Sequence, residues 1–284
     1  MKLRTLQYVI PSIAASDGAG VRLRRSIGSR QGMYLDPFLM LDEFYSDDPR
    51  DYIAGFPEHP HRGFETVTYM LEGHMEHRDR LGNVGELGPG DVQWMTAARG
   101  IIHSEMPKQE RGRMHGFQLW INLPAREKMK PAAYRDIPAA QVPAVTLSGG
   151  AELRLIAGVL ELDGRRIEAP VQGGSTDPLY VDLRLPAGSC FEAPLPAAYA
   201  SFVYLYQGEA RVADAPASLP NRAAGVLGEG DAVRFTAGST GARLLWLAAR
   251  PLREPVVQYG PFVMNTREEI EQAIDDYRSG RFAA

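Results

Sequence analysis

The chain has a single cysteine, Cys190, in 284 residues, so no intrachain disulfide can staple its fold. That scarcity fits a reducing compartment, and Cys190 itself reads as a small buried hydrophobe. Long apolar runs are missing as well. The opening MKLRTLQYVIPSIAASDGAG has two basic side chains, but Pro11 breaks its brief apolar stretch, which fails the pattern of a secretory signal. No segment approaches the ~20 apolar residues that span a bilayer. These absences lead to the expectation of a cytoplasmic protein with no membrane attachment. No run of Lys and Arg is long enough to track a phosphate backbone, and 31 basic against 35 acidic residues leave a net charge of −4. Direct nucleic-acid binding is therefore disfavoured. Histidine is scarce too: there are six, and none follows His115. Whatever histidine does here, the second half of the chain does not do it.

What is abundant points to strands. The 29 Gly and 21 Pro suit many turns better than long helices. Phe64 to Leu71, Val92 to Met95 and His115 to Leu123 are short runs rich in β-branched and aromatic residues, bounded by glycine turns, and read as strands. The same grammar returns downstream. Leu71, Glu72 and Gly73 answer Tyr206, Gln207 and Gly208, and the Gly88-Pro89-Gly90-Asp91 turn answers Gly228-Glu229-Gly230-Asp231. Two copies of one all-β unit, closed as barrels, is the economical reading. The Lys-, Pro- and Ala-rich stretch from Pro124 to Pro143 reads as a surface connection, giving domains of residues 1–135 and 136–284. Only the tail departs from this pattern. Thr266 precedes Glu268 and Glu269, and Ile270, Ala273, Ile274 and Tyr277 recur at helical spacing, so one C-terminal helix is expected to stop near Gly280.

Two histidine pairs carry the chemistry. His59 and His61 are separated by one residue, as are His103 and Glu105, and on a strand such residues share a face about 6.6 Å apart. If the two strands face each other across a barrel, three imidazoles and one carboxylate meet at one point. Mixed nitrogen and oxygen donors with vacant positions suit non-haem Fe(II), while imidazole alone also suits Zn, Cu or Ni. An uninterrupted strand from His59 would put Glu65 on the histidine face, although Gly63 is placed to break that register. Glu65 is expected behind the ligands, accepting an imidazole N–H. His77 and Asp79 follow the turn at Gly73 and read as structural. His115 and Gln118 fall on opposite faces of one strand, and neither is expected to be a ligand. His74 sits at the turn and reads as solvated.

The motifs FPEHPHRGFETVTYMLEG and DVQWMTAARGIIHSEMP resemble the pirin family of the cupin superfamily. So do DPFLMLDEF before them, HGFQLWINLP after them and GPFVMNTREEIEQA near the C-terminus. The likeness covers most of the chain and is weakest between residues 125 and 175. It implies an all-β bicupin, two tandem cupin-type β-barrels with a short C-terminal helix and a metal-free C-terminal barrel. It also implies His59, His61, His103 and Glu105 as ligands of one divalent transition metal. Fe(II) is favoured, with Mn, Ni, Co, Cu or Zn as the other candidates. General cupins often use the glutamate at the position of Glu65, whereas pirins use the later one. Pirins resemble quercetin 2,3-dioxygenases, which implies a metal-dependent dioxygenase that opens flavonol-like aromatics with O2, with Glu105 as ligand, proton acceptor or both. The alternative the family offers is a non-catalytic, metal-dependent regulator acting on a protein partner. A sugar isomerase of the cupin type would want clustered basic residues for a phosphorylated substrate, and Arg62, Arg78 and Arg99 form no clear cluster.

Overall fold

Glycine turns cut the apolar runs into short segments, and the strand ladders they form are antiparallel throughout. The computed structural model describes residues 1–282 apart from Gln31 and Leu81. Arg267–Arg278 is the α-helix, and among the described residues no helix is long and apolar enough to cross a membrane.

The strands gather into two compact units. One comprises residues 13–139 with 252–284, the other residues 1–12 with 140–251. The expected cut after residue 135 lies close to the crossing between them, but each chain end belongs to the opposite unit. For the first twelve residues the reason is Arg4. It is buried, and its guanidinium donates to the carbonyls of Tyr199, Pro196, Ala197 and Gly230. Leu6–Pro11 then pairs with Ala223–Leu227.

Residues 13–139 form two sheets. In the larger, Phe64–Glu72 and Met114–Asn122 lie side by side at the centre, with Phe38–Ser46 beyond one and Val92–Thr96 beyond the other. In the smaller, Ile101–Pro107 lies between Phe56–His61 and Met75–Asp79. The stretch expected as a surface connection is partly built into this unit. Ala133–Ile137 pairs with Val92–Thr96 as an edge strand, and Lys128 is buried. The unit built on 140–251 has a filled interior. Phe191, Phe235 and Trp246 meet with ring centroids 6.0–6.2 Å apart, within one cluster that also takes in Leu155, Val203 and Leu244. Cys190, expected to be buried, is exposed. It starts the alternating strand Cys190–Pro194 on the outward side, and Phe191 takes the core.

The C-terminal helix begins as expected, with a reciprocal capping box between Thr266 and Glu269. Ahead of it, Phe262–Met264 runs against the chain at Gly63. Gly63 has φ +92°, and a Cβ there would stand 1.9 Å from the Val263 carbonyl oxygen, so only glycine permits the approach. Lys128 Nζ seals this junction. It donates to Gly63 O at 2.7 Å, Asn122 Oδ1 at 2.6 Å and Val263 O at 2.9 Å. Burial pushes its pKa down to about 7, while three acceptors call for all three ammonium protons. Lys128→Met would leave those three oxygens buried without donors, at about 1–3 kcal/mol each. The expected outcome is a fall of at least roughly 6 °C in the melting temperature of this unit, read by calorimetry. An unchanged midpoint would show that the junction does not depend on the lysine.

Candidate metal centre

Phe56–His61 and Ile101–Pro107 are immediate neighbours, with His59 directly opposite His103 and His61 opposite Ile101. The two strands thus meet edge to edge in one sheet rather than across the barrel, as the spacing had suggested. Directly opposed antiparallel residues hold their side chains within about 5 Å of each other, which suffices to bring the rings together. Ring centroids are 4.7 Å apart for His59 and His61, 4.3 Å for His59 and His103, and 4.9 Å for His61 and His103. One nitrogen from each ring lies within 4.8 Å of the others.

His61 and His103 are buried and His59 is half-buried. Burial first, and neighbouring imidazoles second, hold His61 and His103 well below the usual histidine range. They are therefore neutral, the form that binds metals. His59 Nδ1 lies 2.8 Å from Pro57 O, which leaves its Nε2 for other use. His61 Nδ1 and His103 Nε2 are both buried without a hydrogen-bond partner. Such atoms cost about 1–3 kcal/mol each unless something satisfies them. Two orphaned nitrogens within a cluster of three imidazoles fit a single divalent metal ion.

Glu105 lies outside that three-nitrogen group. A register irregularity between His103 and Glu105 sets Glu105 opposite Phe56. Its Oε1 accepts from Thr68 Oγ1 at 2.9 Å, and its Oε2 accepts from Gln118 Nε2 at 3.1 Å. Thr68 and Gln118 face each other across the two central strands of the larger sheet. Thr68 escaped the sequence reading because a threonine in a strand is ordinary there. Gln118 was weighed only as a ligand, not as a support for one.

Glu65 is not behind the ligands. It accepts from Thr96 Oγ1 at 2.6 Å and from the Trp94 side chain, and burial raises its pKa. Gly63 is the cause. With φ +92° it ends the alternation begun at His59, so that Phe64 and Thr68 turn inward, Phe64 against His61, while Glu65 turns to the other face. His77, expected to be structural beside a turn, is fully buried with Nε2 2.8 Å from His103 Nδ1. His115 pairs with Glu43 at 3.1 Å, on the strand face opposite Gln118 as expected.

The site opens into a cavity of about 1060 Å3. His59, His61, Thr68, Glu105 and Gln118 line it, together with the apolar surfaces of Met40, Phe44, Phe56 and Trp120. Trp120 also stands edge-on to His61, with ring centroids 5.2 Å apart. A further wall is ionic. Arg25 holds Asp42 through two hydrogen bonds of 2.8 and 2.7 Å and reaches Asp17 at 2.8 Å, while burial raises the Asp42 pKa to about 6. Size and composition suit a small aromatic molecule.

The second half of the ligand strand is clamped from outside. Arg62 donates to Arg99 O, to Asp276 Oδ2 at 2.8 Å and to Phe282 O at 3.3 Å, and its guanidinium lies 4.4 Å from the centre of the Phe282 ring. Gly100 leaves room for the same residue, since a Cβ there would stand 2.5 Å from Phe282 O. Both ligand strands are thus tied, next to His61 and just before Ile101, to the end of the chain.

Comparison with known proteins matches this chain to Pirin over residues 20–121 and to the Pirin C-terminal cupin domain over residues 180–283. A Pseudomonas aeruginosa protein named "Putative quercetin 2,3-dioxygenase" is 55% identical over 95% of this chain and 94% of its own length. Human pirin is 43% identical over 94% of this chain and 89% of its own. Among solved structures, a quercetin 2,3-dioxygenase from Acinetobacter baumannii superposes with a TM-score of 0.90 at 32% identity, covering 99% of both chains. With both halves matched and the identity sustained over nearly the whole length, the chain belongs to the pirin family.

Proposed function

We propose that the protein is a metal-dependent dioxygenase that opens flavonol-like aromatic substrates with O2, with quercetin as the model substrate. The observation that carries this reading is the cluster of three imidazoles at a cavity with apolar walls. The names borne by the Pseudomonas aeruginosa relative and by the Acinetobacter baumannii protein point the same way. His59, His61 and His103 would hold the ion, with Glu105 as the fourth donor, and this mixed donor set favours Fe(II). When bound, the ion would supply Lewis acidity that lowers the pKa of a substrate hydroxyl.

The remaining work falls to side chains. Glu105 takes the proton of the substrate hydroxyl at a carboxylate oxygen, and Thr68 and Gln118 hold that carboxylate in place. Met40, Phe44 and Trp120 pack the aromatic body and exclude water from the anion. Ring opening then incorporates both atoms of O2 and releases carbon monoxide.

The metal reading predicts one tight ion per chain, measured by elemental analysis of protein purified without oxygen. His59→Ala and His103→Ala should each lose most of it. Two tight ions per chain, or full occupancy in both variants, would overturn the assignment.

The catalytic reading predicts O2 uptake with quercetin and matching release of CO. A positioned base is worth about 100-fold or more in rate, so Glu105→Gln should lose at least that in samples matched for metal content. Gln118→Leu, which only loosens the carboxylate, should lose about tenfold. If protein fully loaded with Fe, Mn, Ni, Co or Cu turns over no flavonol, while loading changes its affinity for a protein partner, the regulatory alternative replaces this one.

A further inference from the structure

His77 lies on Met75–Asp79, in the middle strand position between Ile101–Pro107 and Val84–Leu87. Asp79 stands opposite His103 and His77 opposite Glu105, so His77 and His103 are diagonal neighbours on one face, close enough for long side chains to meet. They do meet: His77 Nε2 is 2.8 Å from His103 Nδ1, and the ring centroids are 4.9 Å apart. The Tyr134 ring packs on the His77 ring, 5.5 Å between centroids. Neither histidine is exposed by more than 1%.

The protons in this pair follow from counting. A neutral imidazole has one N–H and one lone pair. His77 Nδ1 is buried without a hydrogen-bond partner, and so is His103 Nε2. If the latter nitrogen offers its lone pair to an ion, the proton of His103 sits on Nδ1 and points at His77, whose Nε2 must accept it. The outer nitrogen of a ligating histidine usually donates to a carboxylate, a carbonyl or water. Here the carboxylates nearby are engaged elsewhere. Glu105 is held by Thr68 and Gln118, Asp79 by Asn83 and Asp136 by Gln93.

We propose that His77 is a positioning residue of the metal centre: its Nε2 accepts the His103 Nδ1–H bond and so fixes the tautomer and ring angle that turn His103 Nε2 toward the ion. This rests on the reading of the three imidazoles as ligands. A neutral acceptor fixes the ring as a carboxylate would, but adds no charge. The ion then keeps the positive field that attracts an anionic substrate, where a carboxylate at the same place would weaken it by one charge.

The test is metal affinity, with no turnover required. Apo wild-type protein, His77→Leu, His77→Gln and His77→Asn are titrated with Co(II) against a chelator, and the visible spectrum of each Co(II) form is recorded. Gln can place its Oε1 where the Nε2 of His77 stands, whereas Asn falls one methylene short. His77→Leu and His77→Asn are expected to weaken Co(II) binding about 10–100-fold and to change the spectrum. His77→Gln should stay within about threefold of wild type and keep the spectrum. If the Leu variant does not fold, the Gln and Asn pair still decides: equal affinities for these two overturn the inference. Wild-type affinity in His77→Leu overturns it as well. His103→Ala is titrated alongside as a control. If it binds Co(II) as wild type does, the ligand reading itself has failed. If His103→Ala loses the ion and all His77 variants keep it, only the positioning role has failed.

Discussion

The antiparallel pairing of Phe56–His61 with Ile101–Pro107 is the constraint on which this site depends. Its register sets His59 opposite His103, and the pleat of one strand places His61 on the same face as His59. Three rings then converge without any loop having to fold over them. A slip of one residue would turn either set to the other side of the sheet. The register must therefore be held firmly, and the hydrogen bonds of a two-strand contact alone do so weakly. The third strand, Met75–Asp79, pairs with Ile101–Pro107 over Met75 to Asp79, and its His77 touches His103 directly.

The other restraint comes from the end of the chain. Gly63 ends the alternation of the first ligand strand and lets Val263 approach, Lys128 ties the two backbones together, and Arg62 reaches Asp276 and Phe282. Buried cations that each hold several oxygens are expensive to move, because any displacement leaves acceptors unpaired in a medium that cannot replace the bond. Two such cations flank the strand segment that follows His61. The tail with its helix is thus part of the wall behind the ligands, and for this reason residues 252–284 belong to the 13–139 unit.

Local chemistry made much of this legible in the sequence. The strands at Phe64–Glu72, Val92–Thr96 and Met114–Asn122 follow from β-branched and aromatic runs between glycines, and the helix from its cap at Thr266. The three histidines stood out because so few exist and two share a strand spacing. What depended on a partner far along the chain was illegible. The sequence marks Gly63 as a place where the register can break, but the close approach that requires glycine there comes from Val263, two hundred residues away in sequence. His77 was set aside because its spacing to Asp79 says nothing of which strand it lies beside. Lys128 sat in a stretch with the composition of a surface linker. Only the three acceptors that surround it make burial tolerable.

The repeat shows how the two barrels differ at one matched position. Aligning Gly73 with Gly208 puts Val203 in the place of Thr68. Thr68 gives its proton to Glu105, whereas Val203 packs in the cluster around Trp246. The exchange replaces a donor by a methyl group of nearly equal size, which would strand a buried carboxylate but suits an apolar filling. Phe191, Phe235 and Trp246 then occupy the interior with ring contacts about 6 Å apart. In the histidine-bearing barrel the rings of His59 and His61, the Glu105 carboxylate and the side face of Trp120 line open space instead. An apolar core gains stability from close packing, while a ligand site must forgo part of that gain to stay accessible. The duplicated fold divides these demands, with dense aromatic packing in one unit and an open, polar-floored cavity in the other.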